Sequence, residues 1–294
     1  MSTVSRKPTT EADITREVIS RFDNTPNPRL KLIMQSLVKH LHAFVVDVQL
    51  TEAEWFEGIK FLTDTGHMCN DLRQEFILLS DTIGVSMVVD LISHRKPAGA
   101  TESTVFGPFY RPGADELPAG GNMCPTDTKG TPAIISGRVL DPSGTPIANA
   151  LLDCWQANSE GFYDSQLDTR ETLQMRGKYR SDKDGNFVIR TNRPVAYQIP
   201  TDGPVGKMLQ ATNRHGWRPA HVHFVVSAEG YEPVTTHIFD SIDPYLTGDA
   251  VFGVKESLIV PFESHATPDA TAAAAGITGP YVTAKFDFVL KPAK

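Results

Sequence analysis

Along residues 10–93 the apolar positions recur every three to four residues, the spacing of one helical face. Ile14, Val18, Ile19 and Phe22 share a face in a helix opened by Thr10-x-x-Asp13. Asn27-Pro28 supplies an N-cap and a first-turn proline for a second helix carrying Leu32, Ile33, Leu37, Leu41, Phe44 and Val45. Thr51-x-x-Glu54 is a capping box for a third, with Trp55, Ile59 and Leu62 on its apolar side. A fourth is expected from Asp71 to Ser93, apolar through Phe76-Ile77-Leu78-Leu79 and again from Ile83 to Ile92. Such amphipathic helices build a small bundle or a helical platform, and their apolar excess marks core or a subunit interface.

Near Lys96-Pro97-Ala98-Gly99-Ala100 the pattern changes. Val105-Phe106-Gly107-Pro108-Phe109-Tyr110-Arg111-Pro112-Gly113 reads as an aromatic loop rich in turn formers. Strand-like runs follow at Ala133–Leu140, Ala148–Gln156, Phe187–Thr191, His221–Ser227, Thr235–Phe239 and Lys285–Leu290. Asp141-Pro142-Ser143-Gly144 and Asp182-Lys183-Asp184-Gly185 are turns between them. Asp182-x-Asp184-Gly185 lacks the further acidic positions of a calcium loop and is expected to be a hairpin turn. The Ala-rich run from Thr267 to Ala275 fits either a short helix or a loop. The expected fold is α+β: a helical domain over residues 1–100, then an antiparallel β-sandwich over 101–294.

Composition narrows the function classes. A net charge of -7 argues against a nucleic-acid partner, since phosphate binding needs clustered Lys and Arg. No apolar run approaches the roughly 20 residues of a membrane span. Met1–Pro8 has no apolar segment of a signal peptide, and Cys69, Cys124 and Cys154 form no disulfide framework, so a cytoplasmic protein with reduced thiols is expected. No nucleophile elbow or phosphate-cradling loop is present.

The chemistry-bearing stretch is Arg218-Pro219-Ala220-His221-Val222-His223-Phe224. The strand period of two puts His221 and His223 on one face, with Val222, Phe224 and Val226 on the other. Two imidazoles so placed can share a metal ion, with the Arg218 charge close by. Tyr163, at the end of Trp155-Gln156-Ala157-Asn158-Ser159-Glu160-Gly161-Phe162-Tyr163, and Tyr197, in Arg193-Pro194-Val195-Ala196-Tyr197, each follow a strand. Spacing alone does not choose the remaining ligands. A zinc hydrolase using His221, His223 and a carboxylate such as Asp240 stays open, as does a transthyretin-like sandwich that binds an aromatic ligand without chemistry.

The run Trp155–Tyr163, Tyr197 and the Arg218–Phe224 segment together resemble the intradiol ring-cleavage dioxygenases, non-haem Fe(III) enzymes that open catechol rings between the two hydroxyl carbons. The resemblance covers most of the chain. Glu102–Phe109, His237-Ile238-Phe239-Asp240, Asp243-Pro244-Tyr245-Leu246 and Asp249–Leu258 are most similar to the hydroxyquinol-cleaving branch. His237 stands where catechol-cleaving members usually carry glutamine, which departs from a simple catechol or chlorocatechol assignment.

By implication of that resemblance, Fe(III) is held by Tyr163, Tyr197, His221, His223 and a hydroxide. Tyr197 is also the ligand released on substrate binding and a general base, and Arg218 stabilises negative charge on the substrate. The substrates are an aromatic diol and O2. The pocket is expected from Leu78, Asp81, Val105, Phe106, Gly107, Phe109, Arg218, His237 and Val251, with Asp81 as a partner for a third ring hydroxyl. The helical domain is expected to join a homodimer and to bind a phospholipid, as in relatives.

Overall fold

The protein is described from a computed structural model that covers residues 9–71, 73–95, 99–168 and 172–293. Its contacts divide it into two units, residues 1–64 and 65–294. The helical periodicity runs on past that division, because the last apolar helices pack their buried side onto the β-rich unit.

In the first unit the polar cap signals act as their spacing implies. Helix α1 (Glu11–Ser20) starts at Thr10, whose side chain accepts from the Asp13 amide while Asp13 accepts from the Thr10 amide. Helix α2 (Pro28–Asp47) starts at Asn27, whose Oδ1 accepts from the amides of Arg29 and Leu30 at 2.9 and 3.1 Å. Helix α3 (Glu52–His67) starts at the reciprocal Thr51–Glu54 pair. Neither α1 nor α2 has a fully buried residue, and Leu32, Leu37, Leu41, Phe44, Trp55 and Phe56 are exposed.

The expected fourth helix is two. Helix α4 (Glu75–Thr82) and helix α5 (Val85–Ser93) meet at 79°. Gly84 causes the break: at φ 78° it takes the left-handed conformation that ends α4 and begins α5. No single helix among the described residues is long and apolar enough to cross a membrane.

Among the described residues, the rest of the second unit forms two five-stranded sheets, a two-stranded ribbon, two short α-helices and two 3-10 turns. In chain order the elements are β1 (Pro132–Leu140), β2 (Leu151–Trp155), β3 (Arg176–Arg180), β4 (Asn186–Asn192), β5 (Tyr197–Gln198), α6 (Pro204–Ala211), β6 (Trp217–Arg218), β7 (His221–Ser227), β8 (Val234–Asp240), β9 (Ile259–Val260), β10 (Glu263–His265), α7 (Ala270–Ala274), β11 (Tyr281–Lys285) and β12 (Phe288–Val289). One sheet runs β3-β2-β7-β8-β9; the other runs β10-β11-β1-β12, with β4 also on β1. The sheets are mixed, not antiparallel: β1 lies parallel to β11 and β12, and β8 to β9. The Asp182–Gly185 turn joins β3 to β4, which pair with β2 and β1 in different sheets, so it is a corner between sheets and not a hairpin. The Ala-rich run settles as α7, capped by Asp269.

The core lies between the sheets. Leu152 and Cys154 of β2, Val222, Phe224 and Val226 of β7, and Ile238 of β8 meet Ile135 and Val139 of β1, Ile189 of β4 and Phe288 of β12. Strand alternation then sends Trp155, His221, His223 and His237 to the other face of the first sheet. That face is buried too, so the histidines are not solvated.

Candidate metal centre

The register sets a row of rings across three strands. Trp155 of β2 stands opposite His223 of β7, which stands opposite His237 of β8. The Trp155 ring stacks on His223 at 4.6 Å, and His223 meets His237 edge-on at 4.0 Å. His221 is two residues from His223 on the same face, as strand period requires, and is 3% exposed.

The tyrosines arrive from separate segments, Tyr163 from a loop and Tyr197 from the short strand β5. Tyr163 precedes a single 3-10 turn, Asp164–Gln166, and its amide donates to Gln166 Oε1 at 2.9 Å. Phe109 stacks on its ring at 4.5 Å. Behind it, Asp164 and Arg176 form a buried two-point ion pair, and Arg176 also donates to the Phe109 carbonyl at 2.6 Å. Tyr197 pairs directly with Arg218 across the β5–β6 ribbon. Pro219 and Ala220 then lead straight into His221, so one short segment carries Tyr197's cross-strand partner and both histidines.

The polar atoms converge. Tyr163 Oη lies 2.9 Å from His223 Nε2, 3.5 Å from His221 Nε2 and 3.4 Å from Tyr197 Oη. The two Nε2 atoms are 3.2 Å apart. Arg218 Nη1 is 3.3 Å from His221 Nε2 and 3.5 Å from Tyr197 Oη. Donors held about 2.0–2.1 Å from one ion stand about 2.9–3.4 Å from one another, close to the observed spacings of 2.9–3.5 Å.

The protonation chemistry fits a cation as well. Burial, helped by the Arg218 charge, lowers the His221 pKa to about 3, and burial drives His223 and His237 well down. All three imidazoles are therefore neutral, the form that binds metal. His221 Nδ1 donates to the Pro219 carbonyl at 2.6 Å, which leaves its Nε2 lone pair pointing at the cluster. His237 Nε2 lies 2.7 Å from His223 Nδ1, the nitrogen facing away from the tyrosines. His237 thus sits behind His223 and fixes its ring. Burial raises the Tyr163 phenol well above its ordinary value, so a phenolate there needs a positive charge. Two phenol oxygens and two imidazole nitrogens, all buried, suit a hard, multiply charged metal ion.

The expected wall residues divide into groups. Leu78, Val105 and Val251 share a buried apolar cluster with Trp155, Tyr163 and Tyr197, and Phe109 packs on it. Gly107 touches the centre: a Cβ at this residue would meet His223 Cε1 at 3.3 Å. Phe106 is 45% exposed and leans on Trp155 and Tyr110. Asp81 is only 3% exposed, and burial raises its carboxyl above the usual range. A cavity of about 430 Å³ opens beside the cluster, lined by Leu78, Phe109, Pro108, Pro200 and the ion-paired Arg73 and Asp202. Asp81, Val105, Phe106, Gly107, His237 and Val251 do not line it. Asp240 follows Phe239 on β8 and therefore turns to the face opposite His237; it pairs with Arg193 at 2.7 Å. It is not a third ligand beside the histidines, as the zinc reading requires.

Comparison with known proteins agrees with this arrangement. Residues 105–292 match the family model described as Dioxygenase, and residues 27–101 match Catechol dioxygenase N terminus. The chain belongs to the intradiol ring-cleavage dioxygenase family. It is 51% identical over 247 residues to a Rhizobium sp. protein named hydroxyquinol 1,2-dioxygenase, covering 84% of this chain and 83% of the relative. A Nocardioides simplex protein of the same name is 44% identical over 96% of each chain. The crystal structure of a hydroxyquinol 1,2-dioxygenase from Pseudomonas putida superposes with TM-score 0.89 at 54% identity, covering 96% of this chain and 99% of that one. A catechol 1,2-dioxygenase from Acinetobacter sp. superposes at 0.82 with 30% identity, covering 96% and 92%. For this dioxygenase, sequence reasoning missed three contributors: the Trp155 stack on His223, the Asp164–Arg176 pair behind Tyr163, and Asp249, which pairs with Arg218 at 3.0 Å. The pairing partners lie 12 and 31 residues apart in sequence, so no local spacing signals them.

Proposed function

We propose that the enzyme opens hydroxyquinol between its adjacent hydroxyl carbons, inserting both atoms of O2 to give 3-hydroxy-cis,cis-muconate or its tautomer maleylacetate. The observation that carries this reading is that Tyr163 Oη lies 2.9–3.5 Å from Tyr197 Oη, His221 Nε2 and His223 Nε2, with Arg218 beside them. The named relatives at 51% and 44% identity support the choice of diol.

Tyr163, Tyr197, His221 and His223 would hold Fe(III). Bound there, iron would supply the Lewis acidity that activates the diol toward O2. Tyr197 Oη would accept a proton from an incoming hydroxyl, acting as general base. Arg218 Nη1, fixed near Tyr197 Oη, stabilises negative charge that develops on the substrate. His237 holds the His223 ring in its ligating orientation. Leu78 and Phe109 of the adjoining cavity pack on the ring, while Val105, Phe106, Gly107 and Val251 shape the wall behind it. Asp81 provides a polar partner for the third hydroxyl.

The helical region up to about residue 100 serves as linker and dimerisation domain in this reading, and the remainder as catalytic domain. Exposed Leu32, Leu37, Leu41 and Phe44 on α2, and Val88, Val89 and Ile92 on α5, are surfaces suited to a second copy and to a bound phospholipid. The free thiols of Cys69, Cys124 and Cys154 accord with a cytoplasmic location.

Oxygen uptake by the iron-loaded enzyme tests the activity. One O2 consumed per hydroxyquinol, with kcat/KM at least about tenfold above that for catechol, is expected. Preference for catechol would transfer the assignment to catechol cleavage. No uptake with any diol would remove the dioxygenase reading.

A further inference from the structure

Arg218 is held at the centre by a two-point ion pair from outside the ligand cluster. Its side chain is 3% exposed, and Nε lies 3.0 Å from Asp249 Oδ1 while Nη2 lies 3.3 Å from Asp249 Oδ2. Only Nη1 is left to face Tyr197 Oη and His221 Nε2. A two-point contact of this kind fixes the plane of a guanidinium as well as its distance.

Asp249 is itself held. Its Oδ1 accepts from the Val251 amide at 3.3 Å, and its Oδ2 accepts from the Gly253 amide at 2.9 Å. The backbone curls tightly enough around the carboxylate that Phe252 adopts φ 59°, a conformation rare for an aromatic residue. Strain of this kind persists only where its surroundings over-determine it, and it concentrates at functional sites. The loop is pinned from beyond by Thr104, whose hydroxyl donates to the Gly253 carbonyl at 2.9 Å. A Cβ at Gly253 would stand 3.0 Å from Thr104 Oγ1, 3.1 Å from Arg218 Nη2 and 3.2 Å from Asp249 Oδ2, so a side chain there crowds the pair.

We propose that Asp249, cradled by the Val251–Gly253 backbone, is a positioning residue that aims Arg218 Nη1 at the Tyr197 oxygen. The proposal rests on the reading of Arg218 as the group that stabilises substrate charge. Asp249 makes no hydrogen bond to the four ligand side chains, and its hydrogen-bonded link to them runs through the arginine. Removing its charge while keeping its shape leaves Arg218 free to swing, and it also leaves an uncompensated cation in the pocket.

The test is a double-mutant cycle in the iron-loaded enzyme with Asp249→Asn, Arg218→Gln and the pair combined. Asp249→Asn is expected to retain iron and its visible band while kcat falls about 10- to 100-fold, with KM changing less than about threefold. The combined variant is expected to be no slower than Arg218→Gln alone, within about twofold. Full additivity of the two losses, or parental kcat in Asp249→Asn, overturns the proposal. Should Asp249→Asn fail to fold, Gly253→Ala displaces the pair without removing either charge, and parental kcat in that variant overturns it equally. A crystal structure of metal-free Asp249→Asn reads the geometry without turnover: Nη1 is expected to leave Tyr197, and an unmoved guanidinium contradicts the clamp. If the parent itself shows no diol-dependent O2 uptake, the functional reading fails; a competent parent with an unaffected variant sinks the clamp alone.

Discussion

Asp164→Ala should be among the most destabilising single changes in the β-rich unit. The Asp164 and Arg176 side chains are 0% and 2% exposed. Asp164 also accepts from the Ser165 and Gln174 amides at 2.8 and 3.1 Å. Burial alone would raise its carboxyl pKa, yet hydrogen bonds from Arg176 and that residue's charge hold it below the usual range, so the pair is made in its ionised form. Truncating one partner of such a pair leaves a buried, uncompensated guanidinium and costs about 3–5 kcal/mol. For a unit of this size each kcal/mol moves Tm by about 2–4 °C, which gives a fall of roughly 6–20 °C. The metal centre should suffer too, because the pair anchors the turn after Tyr163 and the Phe109 carbonyl behind its ring. The assay is a thermal melt of the purified variant alongside its iron content. Replacing both partners, Asp164→Leu with Arg176→Met, should recover much of the stability, since apolar pairs of similar volume substitute well for buried ions. A Tm loss below about 3 °C for Asp164→Ala, with iron retained, would refute the reasoning.

Gly107→Ala combines a left-handed backbone at φ 75° with a Cβ 3.3 Å from His223, so a loss of about 1–2 kcal/mol in stability and a weakened metal site are expected by melt and metal analysis. His237→Leu removes the partner of His223 Nδ1 and should lower metal affinity about 10- to 100-fold in a chelator competition; unchanged affinity would remove His237 from the support of His223. Burial raises the Asp81 carboxyl, so the folded chain holds that proton more tightly than the unfolded chain does. Its cost to folding is absent below the ordinary carboxylate value of about 4 and grows as pH climbs through the raised one. Asp81→Asn is therefore expected to raise Tm at neutral pH and to converge with the parent in acid, and equal melts at neutral pH would contradict it.

Much of the fold was legible where local chemistry decides it. The three N-caps at Thr10, Asn27 and Thr51 are short-range hydrogen-bond patterns, and they form as written. The alternation in His221–Val226 likewise put two imidazoles on one face and apolar side chains in the core. What escaped depended on distant partners. Strand β3, Arg-Gly-Lys-Tyr-Arg, shows no apolar alternation, because Arg176 is buried by an ion pair and not by hydrophobicity. The break at Gly84 hid inside an apolar run, since an isolated glycine is tolerated within helices. The mixed sheets also escaped, because the parallel partners of β1 lie at the far end of the chain. At the centre, the His-x-His pair could be read directly. The two tyrosines stand on separate segments, a loop and the two-residue strand β5, and were reachable only through resemblance to a family. Asp249 opened a stretch read only as family-like, and nothing local marked it as the partner of Arg218.

The central claim is that Tyr163, Tyr197, His221 and His223 bind one ferric ion on which a diol then sits. The most direct measurement is the visible absorption spectrum of the iron-loaded enzyme, taken without oxygen before and after adding hydroxyquinol. The account predicts a broad tyrosinate-to-iron band that shifts on adding the diol and weakens in Tyr163→Phe and Tyr197→Phe. A protein that remains colourless after loading with iron, or a band indifferent to both substitutions, would contradict it.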